Sequence, residues 1–296
     1  MKIEEIVDLS FKELQNASQD ITERYRAGKS LSSEDQKKAY LIVRLPATSA
    51  VIRRVLQEVN EPLESALDLG AGPGTAIEPL LERFPTLKKI TLMERDRTFI
   101  EMGKTLFLNE KVSWLEGDLT KQPSFEPHDL LLISYAFAEM TDASIARLIP
   151  MLWEAAMKYF VIIEPGTPAG FARVKKIREQ LISLGAHCVA PCTHSNRCPM
   201  EGNDWCHFSE RIERSSLHRE AKLGTMGYED EKFSYLIVSR IPVSVPQMRI
   251  LRPPMKRSGH IFLNVCTEEG LKIKTISRKD KEKYVLAKKS DWGDSL

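Results

Sequence analysis

The chain has 296 residues, more than one minimal domain and fewer than three. With 42% hydrophobic and 28% charged residues the composition is that of an ordinary globular protein, and no run approaches the ~20 apolar residues of a membrane span, which excludes an integral helical membrane protein. The net charge of +2 implies no partner by itself, but residues 249–289 hold twelve Lys or Arg against four Asp or Glu.

The N-terminus, MKIEEIVDLS, has one lysine, three acids and no apolar stretch. It fits neither a secretory signal nor an Arg-rich, acid-poor organellar presequence. The expectation is a cytoplasmic bacterial protein, with a mature organellar form lacking its presequence as the alternative. In a reducing compartment the five cysteines point to ligand or redox roles rather than disulfides.

Residues 1–60 read as a helical cap. Apolar residues recur at helical spacing up to Gly28, Ser32 and Asp35 resemble a capping box, and Pro46 breaks the helix that follows. The alternative is a docking arm for RNA or protein using Lys37, Lys38, Arg44, Arg53 and Arg54.

Residues 61–185 alternate short apolar strands with helices, the pattern of a doubly wound α/β sheet covered on both faces. Pro150 predicts a break within the helix that precedes the fifth strand. The pattern stops in residues 186–240, which carry four cysteines and end in a returning strand, FSYLIVSR. Residues 241–296 read as a small basic β unit: HIFLNVCTEEG and LKIKTISR form a hairpin, and KEKYVLAKK a last strand.

The segment ALDLGAGPGT (66–75) places Gly70, Gly72 and Gly74 between a strand and a helix. Such a turn lets the backbone approach a nucleotide and aims free N–H groups at it. Dinucleotides and S-adenosylmethionine both use this crevice, with an acid after the second strand on the ribose; that acid is Glu94. Asp68 before the first glycine, suited to a ligand's ammonium, and Asp118 closing the third strand, near an adenine amino group, favour S-adenosylmethionine. Asp118 reads equally well as a turn aspartate capping a loop. LDLGAGPGT, LMERDRTFIEMG and EGD together resemble the first three motifs of class I methyltransferases.

The catalytic half is less legible. The fourth strand ends at Ser134 and Tyr135, where amino-methylating enzymes carry an Asn or Asp with prolines and an aromatic; Tyr135 could stack on a base, but the prolines are missing. Carbon-5 methylation needs a cysteine nucleophile, and none precedes Cys188. Glu139 and Glu164, at the ends of strands four and five, are candidate bases.

Cys188, Cys192, Cys198 and Cys206 fall within nineteen residues, with Cys266 following. There is no Cys-x-x-Cys knuckle and no radical-enzyme spacing, so the spacings leave an iron–sulfur cluster and a structural zinc both open, with His187, His194 and His207 as substitute ligands.

The stretch from APCTHSNRCPMEGNDWCHF to SYLIVSR, then RILRPPMKRSGHIFLNVCTEEG, with RLPATSA near residue 45 and WGD near the end, resembles the methyltransferase-like small-ribosomal-subunit protein family, known as a mitochondrial assembly factor and found in bacteria. The resemblance implies a [4Fe-4S] cluster on Cys192, Cys198, Cys206 and Cys266, with Cys188 as a spare thiol. It also implies binding to the small ribosomal subunit and its rRNA; the basic cluster of Arg249, Arg252, Lys256, Arg257, Lys272 and Lys274 is the candidate phosphate-contacting set, with a merely solvated face as the alternative. No membrane or DNA partner is expected. The chain departs from the family pattern at Thr193-His194-Ser195-Asn196 and at Ser49. The expectation is an S-adenosylmethionine-binding, iron–sulfur assembly factor. A true rRNA methyltransferase and a cluster-gated redox or iron sensor are the alternatives.

Overall fold

The computed structural model describes residues 3–296. In chain order the elements are α1 (Ile3–Ile6), α2 (Phe11–Arg26), α3 (Glu34–Val43), α4 (Leu45–Leu56), β1 (Ser65–Leu69), α5 (Ile77–Arg83), β2 (Lys89–Glu94), α6 (Arg97–Leu106), β3 (Val112–Glu116), β4 (His128–Ser134) and α7 (Asp142–Ala155). They continue with β5 (Ala156–Pro165), α8 (Pro168–Ser183), β6 (His187–Ala190), β7 (Phe208–Glu213), α9 (Ser216–Ala221), β8 (Tyr228–Ser239), β9 (Met248–Ile250), β10 (Met255–Arg257), β11 (His260–Thr267), β12 (Gly270–Ser277) and α10 (Lys281–Lys289). Two compact units emerge: residues 1–157 with 210–231, and residues 158–209 with 232–296.

In the first unit the strand order is β3-β2-β1-β4, all parallel. Ala66, Leu67, Asp68 and Leu69 of β1 are all buried, as a strand covered on both faces requires. From β1 the chain passes to β2 on one side and later returns to β4 on the other. The C-terminal end of β1 is therefore a topological switch point, where open α/β sheets hold their ligands.

The helical cap packs on this unit through Leu14, Ile21, Leu41 and Val43, together with Met102 of α6 and Ala221 of α9. Each such side chain, fully buried, contributes about 1.5–3 kcal/mol. The capping box of α3 is Ser33 with Gln36, one residue beyond the expected pair, because a glutamine reaches back to the cap N–H where the shorter Asp35 does not. Lys37 pairs with Asp96, Lys38 with Asp8 and Glu34, Arg44 with Glu231, and Arg53 with Glu82. These cations of the alternative docking arm are thus already engaged.

Helix α7 runs through Pro150 without ending. Burial of Ile145, Leu148, Ile149, Leu152 and Trp153 outweighs the one backbone bond a proline removes.

In the second unit β8 runs antiparallel to both β5 and β6. A second sheet pairs β10, β11 and β12 in order, with β9 also on β11. The segment KEKYVLAKK is helix α10, not a strand: Ala287 is buried and Tyr284 packs beside it against Ile261, Leu263 and Val265, three-residue spacing that alternation misreads. The parallel set β3-β2-β1-β4 and the set β5-β8-β6 with reversed β8 make this an α/β class I methyltransferase fold with a mixed sheet.

Candidate cofactor site and cysteine cluster

The glycine loop leaves β1 with Gly70 at φ 74° and Gly72 at φ 55°, backbone that a side chain resists. A Cβ on Gly70 would lie 2.7 Å from Ala136 Cβ, whereas one on Gly72 would meet nothing within 4 Å. The loop is therefore pressed against the end of β4 at Gly70 and faces open space at Gly72. Gly74 also has positive φ, 85°.

Two acids sit beneath it. Glu94 Oε2 accepts from Gly72 N at 2.8 Å, and its Oε1 accepts from Arg95 N and Asp96 N, both at 2.8 Å. Burial raises its pKa above the usual carboxylate range, against these three backbone donors. Three of about four acceptor positions are used, so one direction remains for a hydroxyl.

Asp68 differs. It is 1% exposed, and its Oδ1 is buried with no hydrogen-bond partner among the described residues. Burial, then the neighbouring charge of Glu94, pushes its pKa up to about 8. A buried orphan acceptor is costly unless something fills it.

Asp118 behaves as a turn aspartate. Its Oδ1 accepts from Thr120 N at 2.9 Å and from Thr120 Oγ1 at 2.7 Å, and these bonds hold its pKa below the usual value. Ser134 closes β4, half-buried. Tyr135 follows in the left-handed region, φ 60° and ψ 2°, a conformation that costs a non-glycine residue about 1–3 kcal/mol. Glu139 is tied down, its Oε2 accepting from Ser30 Oγ and Arg95 Nη2, both at 2.7 Å. Ser30 and Arg95 were not singled out in the sequence, and neither was Asp96, which caps α6 and pairs with Lys37. The Asp-x-Thr start of that helix was the available signal.

In the second unit Glu164 is fully buried and accepts from Arg173 Nε at 2.8 Å. This pairing, not proton transfer, is what the geometry gives it.

Cys188 lies on β6, Cys192, Cys198 and Cys206 on the loop from 191 to 207, and Cys266 on β11. The four expected ligands share one electrostatic neighbourhood. Burial pushes the Cys206 thiol up, helped by Cys192, Cys198 and Cys266; Cys266 rises to about 11 through burial and through Cys192 and Cys198. Cys188 is 3% exposed and is held beside Cys192 by a thiol–thiol hydrogen bond, which lowers it to about 7 with help from Arg178. Among the described residues no three His, Cys, Asp or Glu side chains are arranged to hold a metal ion. These side chains are not closed around a single ion.

The basic residues separate into two kinds. Arg249 is 1% exposed and donates to Pro191 O at 3.2 Å and Gly293 O at 2.8 Å, stitching β9 to the cysteine loop and to the terminal WGD turn. A guanidinium buried this way cannot meet a phosphate, so Arg249 leaves the expected RNA-contacting set. Arg252 pairs with Asp204 and donates to Trp205 O at 3.2 Å. Lys256, Arg257 and Lys272 are exposed and Lys274 is half-buried.

A family model described as "Mitochondrial small ribosomal subunit Rsm22" matches residues 34–296. The chain belongs to this family. It is 23% identical to the human mitochondrial ribosome assembly protein METTL17 over 87% of the chain, and 23% identical to the Schizosaccharomyces pombe mitochondrial Rsm22-cox11 tandem protein 2 over 88%. The Saccharomyces cerevisiae mitochondrial ribosome assembly protein RSM22 is 21% identical over 74%. The chain spans 61%, 43% and 52% of these three relatives. Among solved structures it is similar to a SAM-dependent methyltransferase from Aquifex aeolicus (TM-score 0.46, 14% identity, 71% of this chain and 100% of that one). It is also similar to magnesium protoporphyrin IX methyltransferase from Synechocystis PCC 6803 with bound SAH (TM-score 0.43, 12% identity, 78% and 97%).

The family's mitochondrial description and these mitochondrial relatives overturn the expectation of a cytoplasmic bacterial protein. That expectation rested on the composition of the first ten residues.

Proposed function

We propose that the first unit binds S-adenosylmethionine at the glycine loop and that the protein serves assembly of the small ribosomal subunit. The observation that carries the cofactor reading is Asp68: a buried carboxylate oxygen without a partner, beneath a loop that is open at Gly72 and anchored by Glu94. The ligand's ammonium supplies the charge and donors that Asp68 lacks, and a ribose hydroxyl takes the free direction on Glu94. Family membership and the names of the human and budding-yeast relatives support the ribosomal role.

The cysteines enter the same proposal as a [4Fe-4S] site on Cys192, Cys198, Cys206 and Cys266. The support is the donor type: four thiols in one neighbourhood are ligands that either an iron–sulfur cluster or zinc takes. Such a group would cross-link the cysteine loop to β11, and so hold the exposed Lys256, Arg257 and Lys272 toward rRNA. Colourless protein with stoichiometric zinc after anaerobic purification would reject the iron reading.

A second reading, methyl transfer to rRNA, is favoured by the strained Tyr135 at the end of β4. Labelled methyl transfer to small subunits separates the two. Incorporation that Glu94→Ala abolishes establishes an enzyme, whereas stable association with subunits and no incorporation establishes an assembly factor.

A further inference from the structure

The sheet of β9, β10, β11 and β12 buries one face and leaves most of the other bare. On one side Ile261, Leu263 and Val265 pack with Ala287 and Tyr284 of α10. Alternation along β11 puts His260, Phe262 and Asn264 on the opposite side. Register sets their partners there: Ile273 beside Asn264, Met255 and Thr275 beside Phe262, Arg257 beside His260. Met255 is 47% exposed and Ile273 67%, while Phe262 and Asn264 are half-buried.

A cavity of about 260 Å³ opens on this face, lined by Leu251, Asn264, Leu271 and Ile273 and by the ion pair of Arg252 and Asp204. That is below the ~300–1,000 Å³ of a pocket for a drug-sized ligand. Its walls are mostly apolar, and the Asn264 amide offers donors and an acceptor together. Apolar walls around such a group suit the edge of one flat heterocycle. Phe262, two residues along the strand, continues the apolar strip toward Arg257.

Charge selects the partner. Residues 248–278 hold seven Lys or Arg against two Asp or Glu. With Arg249 and Arg252 set aside as internally engaged, five cations remain against the two acids. The complement is a polyanion that also carries flat apolar rings. An acidic peptide matches the charge but brings no ring edge to the amide.

We propose that this face is a stacking platform for single-stranded RNA, with one base in the cavity and its edge on Asn264, the next on Phe262, and the backbone passing Arg257 and Lys256. Unpaired bases held on a sheet between cations are a recurrent mode of RNA recognition. This rests on the ribosomal reading and names what is held: unstacked bases rather than duplex phosphates.

The full chain is titrated with a labelled mixed-sequence oligoribonucleotide of about ten nucleotides, within the ~4–16 nucleotides such platforms span, and with the same oligomer made abasic. Wild type should bind the abasic oligomer about 5- to 150-fold more weakly, the range for loss of one stacked base. Phe262→Ala should weaken binding of the base-bearing oligomer by a similar factor. Asn264→Leu and Ile273→Ser should weaken it in the same direction. All three should keep the wild-type salt slope, since no phosphate contact is lost, and should match wild type on the abasic oligomer. A merely structural role would weaken both probes alike.

Equal wild-type affinity for the two probes overturns the proposal, as does wild-type affinity in Phe262→Ala. Tighter binding of a polyglutamate peptide than of the oligomer overturns it in favour of an acidic protein partner. If Phe262→Ala does not fold, Ile273→Ser, at a largely exposed position, decides: unchanged affinity for the base-bearing oligomer refutes the platform. Small-subunit RNA binding that ignores all three substitutions overturns the platform alone. Wild-type protein that binds neither the oligomer nor small-subunit RNA overturns the ribosomal reading with it.

Discussion

Asp68→Asn isolates the role of the buried acid without ligand. Raising a carboxyl from 3.8 to about 8 means that ionising it costs about 6 kcal/mol more in the folded chain than in the unfolded one, at about 1.36 kcal/mol per pH unit. Between those two values the folded state holds a proton that the unfolded state releases. Stability therefore falls as pH rises from about 4 to about 8, then levels off. Asparagine has no such proton. Other carboxylates contribute equally to both proteins, so the difference between the profiles belongs to Asp68. From pH 5 to pH 8 the variant should gain about 4 kcal/mol on wild type. Urea unfolding at half-unit pH steps, with equal m-values in the two proteins, reads this directly. Parallel profiles would refute the buried, unpartnered carboxylate. A bound cation reverses the penalty, so the ligand's affinity for wild type should tighten as pH rises from 6 toward 8.

Other outcomes follow from the same geometry. Glu94→Gln turns an amide donor toward Gly72 N or the α6 start, and should cost about 1–3 kcal/mol in denaturant unfolding along with a loss of ligand affinity. Neutralising Lys256, Arg257 and Lys272 together should reduce the log–log salt slope of single-stranded RNA binding by about 2, at about 0.7 per lost phosphate contact. Arg249→Met should leave that slope unchanged while destabilising the fold by about 3 kcal/mol or more, because its hydrogen bonds are internal. Glu229 collects Arg214 and Lys222, with His218 Nε2 3.5 Å away; burial opposes its ionisation, but the groups around it, hydrogen bonds from Lys222 and Arg214 among them, outweigh it and hold its pKa well below the usual range. Glu229→Gln should cost about 3–5 kcal/mol at pH 7, and the gap should close as pH falls through the acidic range where wild type also loses the charge.

What the sequence made legible was local. Glycines at 70, 72 and 74 announce themselves because positive φ admits few other residues, and Glu94 follows from the fixed length of a strand–helix–strand unit. Asp68 was visible as an acid before the loop, but its missing partner was not, since burial is a property of the assembled sheet. The same limit explains Arg249, which lies within a basic run yet is spent on two internal carbonyls. It explains Arg178 too, one cation among several in ARVKKIREQ until the cysteine loop folds over it. Pro150 and KEKYVLAKK misled for the complementary reason: packing of Leu148, Ile149 and Leu152 in one case and Ala287 in the other overrode the local signal.

The most direct test of the central claim is calorimetric titration of S-adenosylmethionine into the intact chain. One molecule should bind per chain, with affinity abolished in Asp68→Ala and Glu94→Ala while both variants keep a cooperative unfolding transition. Absence of heat at millimolar ligand, or binding that survives both substitutions, contradicts it.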